Sequence, residues 1–115
     1  DSAVRLRDDH VSGHETVAVP DLLFYEIGNV LVTKTRLSEE AIHEAFSLLW
    51  DFSLERFDLG LDEFLAGMAL SRKYGITLYD AAYVELSRRL KCSFLTADKK
   101  LYEKVKSMKS VELLK

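Results

Sequence analysis

Three acidic residues in this 115-residue chain have surroundings in which a carboxylate could do chemistry. They are Glu26 in "PDLLFYEIGNVL", Asp80 in "TLYDAAY" and Asp98 in "SFLTAD". If the three side chains converge, their mutual repulsion requires either protonation or a bound cation. Hard carboxylate oxygens select Mg²⁺ or Mn²⁺. An ion held in this way can activate water and neutralise charge on a phosphate, as in nucleases and phosphatases.

Each acid also has a purely structural interpretation. Glu26 has apolar helical neighbours and could reach water or pair with a lysine at the rim of that face. Thr77 and Asp80 form a T-x-x-D arrangement, a variant of the capping box that also places Asp80 at the positive end of a helix dipole. Asp98 could cap the helix that follows its strand. The residues alone leave both interpretations open.

Short apolar strands alternate with helices and determine where these acids lie. The predicted strands are 16–19, 55–59, 93–97 and 110–114. The predicted helices are a tail ending at Gly13, then 20–35, 38–53, 61–75, 78–91 and 99–107. Ser38 is the expected cap of its helix, Pro20 suits a first turn, and Gly75 suits a left-handed end.

Strands separated by helices need crossover connections, so the pattern predicts an α/β fold with a parallel sheet between helices. In such sheets ligands bind beyond the carboxyl ends of the strands, where Asp98 lies. A strand is expected before the first helix, whereas the sequence begins within that helix. We therefore expect one domain over residues 1–115, shortened at its N-terminus, with Asp1 on a helix surface.

The composition is that of a soluble globular protein, with 48% hydrophobic and 30% charged residues. The sequence has no run of roughly 20 apolar residues and no apolar signal-peptide core, so we expect a cytoplasmic protein without a membrane segment. The single cysteine, Cys92, excludes an internal disulfide and is expected to be a buried thiol.

The net charge of −3 conceals an uneven distribution. Residues 1–71 contain 5 Lys/Arg and 14 Asp/Glu, a net charge of −9, whereas residues 72–115 contain 11 and 5, a net charge of +6. The basic part could contact a polyanion, and its lysines could equally be solvated helix faces.

Three segments resemble, in order and spacing, the signature segments of PIN-domain proteins, and most closely those of VapC-like toxin ribonucleases of toxin–antitoxin systems. The segments are "VPDLLFYEIGNVL", "GITLYDAAYVELSRRLKC" and "SFLTADKKLY". The resemblance extends over nearly all of residues 1–115. It implies a PIN-like three-layer α/β/α fold with a central parallel sheet, whose first strand we expect to be missing from this sequence.

The resemblance also implies Mg²⁺- or Mn²⁺-dependent cleavage of RNA phosphodiester bonds by metal-activated water. In the matching motifs, Glu26, Asp80 and Asp98 correspond to the catalytic and metal-binding acids. Thr96 corresponds to a hydroxyl residue that accompanies the last acid, and Asn29 to a polar residue one turn after the glutamate. A further family aspartate, at the end of the first strand, has no counterpart here.

The resemblance further implies three partners, namely RNA, a cognate antitoxin protein and a second copy in a homodimer. Aromatic-rich helical patches around Phe24 and Trp50 are expected to be mostly core, with an exposed remainder for a partner. Four basic residues could hold RNA phosphates or could be solvated helix ends: Arg88, Arg89, Lys99 and Lys100.

Two alternatives remain open at this stage. One is a catalytically inactive PIN-like module that binds RNA or a protein partner. The other is a different Mg²⁺-carboxylate α/β protein, such as a receiver or a phosphatase, although the sequence has no evident catalytic nucleophile or lysine motif for it.

Overall fold

The structure is a computed structural model that describes residues 17–108 and 110–114. These residues fall into two compact units, an N-terminal unit over 17–57 and a C-terminal unit over 58–114 without residue 109. The predicted helix tail at Gly13 and the residue Asp1 lie outside the described residues. The single domain over 1–115 stays a prediction.

The N-terminal unit is a parallel strand pair connected through two helices. Its elements are β1 (Ala18–Pro20), α1 (Leu22–Thr33), α2 (Glu39–Asp51) and β2 (Glu55–Phe57). β1 pairs with β2 in parallel, with Ala18 opposite Glu55 and Pro20 opposite Phe57. Parallel neighbours cannot be joined by a tight turn, and the two helices supply the crossover.

Pro20 is the last residue of β1, so the prediction that it lies in the first turn of the helix is wrong. Proline has no backbone N–H to donate to a neighbouring strand, so it is tolerated where the pairing of a strand ends. The next residue, Asp21, donates its backbone N–H to the Phe57 carbonyl at 3.0 Å. α1 therefore begins only at Leu22.

Three aromatic rings cluster in the N-terminal unit, but only Phe24 is buried, so the prediction that these patches are mostly core is confirmed for Phe24 alone. Phe24 is buried and packs edge-on against Phe46 and Trp50, with ring centroids 6.2 and 5.4 Å away. The Arg56 guanidinium lies 4.0 Å from the centroid of the Trp50 ring, a cation–π contact. Trp50 and Tyr25 keep exposed surface.

The C-terminal unit has a second parallel strand pair and three helices. Its elements are α3 (Leu61–Tyr74), α4 (Leu78–Leu90), β3 (Phe94–Thr96), α5 (Lys99–Val105) and β4 (Val111–Leu113). β3 pairs with β4 in parallel, with Thr96 opposite Leu113. Its core consists of Leu70, Ile76, Ala81, Val84, Leu101, Val105 and Val111. The predicted parallel α/β architecture is thus present in each unit.

Small residues let α3 and α4 approach closely. A Cβ added to Gly67 of α3 would lie 3.4 Å from Leu78 Cδ1 and 4.0 Å from Ala81 Cβ, and Ala81 has no exposed surface. α3 ends at Gly75, whose φ of 65° is the left-handed conformation predicted for it. The first turn of α4 is thereby fixed against α3.

Cys92 is exposed, so the prediction of a buried thiol is wrong. It follows Lys91, the left-handed residue that ends α4, and lies in the connection to β3. Among the helices of residues 17–108 and 110–114, none has the length and apolar character needed to cross a membrane.

Candidate functional site

Asp98 lies just beyond the carboxyl end of β3 and caps α5. Its side-chain Oδ1 accepts a hydrogen bond from the Leu101 N–H at 3.1 Å, and its backbone N–H donates to Thr96 Oγ1 at 3.1 Å. The structural interpretation of Asp98 as a helix cap is therefore confirmed. A carboxylate has about four acceptor sites, so the cap leaves room for a cation as well.

Thr96 holds the backbone on which Asp98 stands. The residue is buried, its hydroxyl accepts from Asp98, and its carbonyl accepts from the Leu114 N–H at 2.8 Å. These contacts join the end of β3 to β4 and to the start of α5. Thr96 thus fixes the backbone position of Asp98, while its accompanying role at a metal site stays a prediction.

Asp80 occupies the first turn of α4 and is half-buried. Its backbone N–H donates to Thr77 Oγ1 at 3.0 Å, which confirms Thr77 as the cap. The carboxylate belongs to the first turn of α4, at the positive end of the helix dipole. Because the following residue, Ala81, packs against α3, the Asp80 backbone is anchored on two sides.

Glu26 and Asn29 are one turn apart on α1, and both are exposed. The Asn29 carbonyl accepts a hydrogen bond from the Thr33 hydroxyl at 2.6 Å, a contact of the helix itself. Glu26 belongs to the N-terminal unit, whereas Asp80 and Asp98 belong to the C-terminal unit. The convergence of the three acids stays a prediction.

Whether these residues can bind a metal ion depends on the donor atoms that they offer. No group of three or more His, Cys, Asp and Glu side chains suited to a metal occurs in the part of the chain that the structure describes. The chemistry of Asp80 and Asp98 nevertheless fits a hard divalent cation, since both offer carboxylate oxygens from backbone positions fixed by threonine hydroxyls.

Glu85, which belongs to none of the motif positions, is a buried carboxylate held by two arginines. Only 2% of it is exposed. Its Oε1 accepts from Arg88 Nη1 at 3.1 Å and its Oε2 from Arg89 Nε at 2.6 Å. The hydrogen bond to Glu85 raises the pKa of Arg89 further above its already high ordinary value. The spacing of three and four residues between Glu85 and the two arginines is visible in the sequence as a salt-bridge pattern, whereas the burial of Glu85 is not.

This cluster also connects α4 to α3. Arg89 Nη1 lies 3.9 Å from Glu63 Oε1, and Glu63 Oε2 accepts from the Gly60 N–H at 3.1 Å. Arg89 thus links the end of α4 to the capped first turn of α3. Half of the Arg88 side chain and 44% of the Arg89 side chain remain exposed to solvent.

The four basic residues predicted to contact RNA differ in their surroundings. Arg88 and Arg89 are engaged by Glu85, while Lys99 and Lys100 are exposed in the first turn of α5, directly after Asp98. Their contact with RNA stays a prediction.

Comparison with known proteins adds two similarities. The profile of the PIN domain family matches residues 1–106. Ribonuclease VapC3 from Pyrobaculum aerophilum is 35% identical over 98 residues, which cover 82% of this chain and 75% of that protein. The family match includes all five residues singled out by the motifs, namely Glu26, Asn29, Asp80, Thr96 and Asp98.

Proposed function

Since the chain belongs to the PIN-domain family and has its α/β/α fold, we propose that it is a Mg²⁺- or Mn²⁺-dependent endoribonuclease. We further propose that it acts in the cytoplasm as the toxin of a type II toxin–antitoxin pair. The observation that carries the proposal is the family match over residues 1–106, which contains the three motif acids. The 35% identity to a ribonuclease supports RNA as the substrate.

In this proposal Glu26, Asp80 and Asp98 hold the cation. The chemistry supplied by the cation when bound is activation of the attacking water and neutralisation of charge on the phosphodiester. The acids accept hydrogen bonds from that water and orient it towards phosphorus. Thr77 and Thr96 keep the backbones of two of these acids in place through the hydrogen bonds described above.

In this proposal the basic residues near Asp98 bind the RNA substrate. Lys99 and Lys100 follow Asp98 directly, and their ammonium groups can bind RNA phosphates as mobile point charges. Arg88 and Arg89 would contribute the donor atoms that Glu85 leaves exposed. Such phosphate contacts position the RNA but do not distinguish one base sequence from another.

Metal removal tests the proposal. The protein is expected to cut a labelled RNA, to stop in excess EDTA, and to resume when Mg²⁺ or Mn²⁺ is added in excess, because the acids alone cannot activate water sufficiently. Denaturing gels measure the fraction cut. Cleavage that persists in EDTA would refute the metal-dependent mechanism, and RNA that is bound but never cut would favour the catalytically inactive module.

A second copy of the chain and a cognate antitoxin are the protein partners that we propose from the family resemblance. The structural support for the second copy is an apolar stripe on α3. Four side chains of this stripe are between 43% and 73% exposed: Leu61, Phe64, Leu65 and Met68. α3 begins with acidic and ends with basic residues, so two antiparallel copies would oppose unlike charges on either side of the stripe.

Leu65→Lys is expected to convert a dimer into a monomer, because it places a charge at the centre of this apolar contact. Size-exclusion chromatography with light scattering measures the mass. Leu48→Lys is the matched control, since Leu48 is similarly exposed but lies on α2. A monomeric wild-type protein, or a Leu65→Lys variant that remains dimeric, would contradict pairing through α3.

A further inference from the structure

Two of the five tyrosines are exposed, and each directly precedes a candidate metal-binding acid. Tyr25, before Glu26, is 73% exposed, and Tyr79, before Asp80, is 62% exposed. The other three are half-buried, namely Tyr74, Tyr83 and Tyr102. Exposed tyrosine therefore occurs only beside the acids, and it does so independently in each unit.

The remaining tyrosines pack against other side chains of the C-terminal unit. Tyr83 lies 6.1 Å from the Phe94 ring, and both Tyr74 and Tyr102 pack against the core of the C-terminal unit. One turn after Tyr25 come Gly28 and Asn29, which offer little apolar cover. An exposed aromatic ring does not gain the favourable free energy of burial. A ligand that covers the ring would supply that gain.

Unpaired nucleic-acid bases are the ligands that such rings take best. A base stacks on an aromatic side chain through its π-face, and this contact tolerates any base. In a duplex both faces of each base are already stacked, so the rings could contact only strands whose bases are open. An acid and the ring beside it on a helix can then serve the phosphate and a neighbouring base of one nucleotide strand.

We propose that Tyr79 and Tyr25 are base-stacking platforms that restrict the enzyme to unpaired RNA. This inference rests on the proposed ribonuclease function. The backbone of Tyr79 is the better fixed of the two, because Thr77 caps its helix turn and Ala81 packs against α3. In contrast, Asp21 caps α1 without a side-chain hydrogen bond. A ring on a backbone that is held in place before binding loses less freedom when the base arrives.

Binding to short single-stranded and blunt duplex RNAs of the same sequence tests the platforms. The Asp98→Asn background prevents cleavage, and fluorescence anisotropy of a labelled RNA measures affinity. Tyr79→Leu is expected to weaken single-strand binding about tenfold, whereas Tyr79→Phe keeps the ring and stays within about twofold. Duplex binding is expected to be equal in all variants. Tyr25→Leu and Tyr25→Phe form the same comparison for the other platform.

Leu48→Ala is the matched control, because Leu48 is 60% exposed, much like Tyr79, but lies on α2 and precedes none of the three acids. An equal loss in that variant, an equal loss on duplex RNA, or a Phe variant as weak as the Leu variant would each overturn stacking.

Cleavage with Asp98 restored separates this inference from the proposed function. The Leu variants are expected to raise KM for single-stranded RNA about tenfold with kcat within about twofold. A wild-type protein that cuts RNA and Leu variants that match it would refute only the platforms. A wild-type protein that never cuts RNA would refute the proposed function, while the anisotropy comparison still decides whether the rings stack.

Discussion

Replacing Asp98 by asparagine is expected to reduce RNA cleavage at least about 100-fold while the protein stays folded. Asparagine caps helices as well as aspartate does, so the hydrogen bond to the Leu101 N–H can persist. The variant loses the negative charge that a cation requires. Initial rates on a labelled RNA give the activity, and thermal unfolding followed by circular dichroism gives the stability.

Asp98→Ala supplies the comparison for this experiment, because it removes the cap together with the charge. It is expected to be as inactive as Asp98→Asn and in addition less stable by about 1 kcal/mol. An Asp98→Asn protein that cuts RNA like the wild type would show that Asp98 is only a cap. Loss of activity in strict proportion to loss of stability would lead to the same conclusion.

Glu85→Gln is expected to lower the free energy of unfolding by about 2 kcal/mol, the typical range for losing charge-assisted hydrogen bonds at a buried site. Glu85 is 2% exposed and accepts hydrogen bonds from both Arg88 and Arg89. A neutral amide has only one acceptor oxygen, and its NH₂ group would face a guanidinium donor. Urea denaturation followed by circular dichroism measures the change.

Glu103→Gln is the matched control for this change. Glu103 pairs with Lys106 at the same spacing of three residues and at 2.6 Å, but 64% of its side chain is exposed. Solvent screens such a pair, so no measurable change in the unfolding midpoint is expected. If the two substitutions lower the free energy of unfolding equally, burial does not strengthen the ion pairs of Glu85.

The sequence was sufficient for features that depend on a few neighbouring residues. Ser38 accepts from the Ala41 N–H, Thr77 accepts from the Asp80 N–H, and Gly75 adopts the left-handed conformation, all as predicted. Each of these depends on hydrogen-bond donors and backbone angles within one helical turn. Helix and strand order follows from the same local patterns.

Features set by distant segments were predicted poorly. Pro20 was assigned to a helix, but it completes a strand because β2, more than thirty residues later, pairs with it. Cys92 was expected in the core, yet the left-handed residue before it directs the chain out of α4 to the surface. Glu85 was missed because a salt-bridge spacing does not reveal which face of α4 the rest of the protein covers.

The candidate site has features that depend on neighbouring residues and others that depend on distant segments. Asp80 and Asp98 could be located from their motifs, and the capping contacts that fix their backbones are local. Glu26 lies more than fifty residues earlier, so its approach to the other two depends on long-range packing. For that part, the order and spacing of the family motifs are the support, and the proposal of a shared cation depends on them.

The cation–π stack on Trp50 makes this residue a natural optical reporter. It is the only tryptophan of the chain, and it lies in the N-terminal unit under the Arg56 guanidinium, 4.0 Å from its ring centre. Its emission therefore records when residues 17–57 come apart, while far-ultraviolet signals sum over all the helices. Coincidence of the two melting curves would mean that both units unfold as one cooperative body.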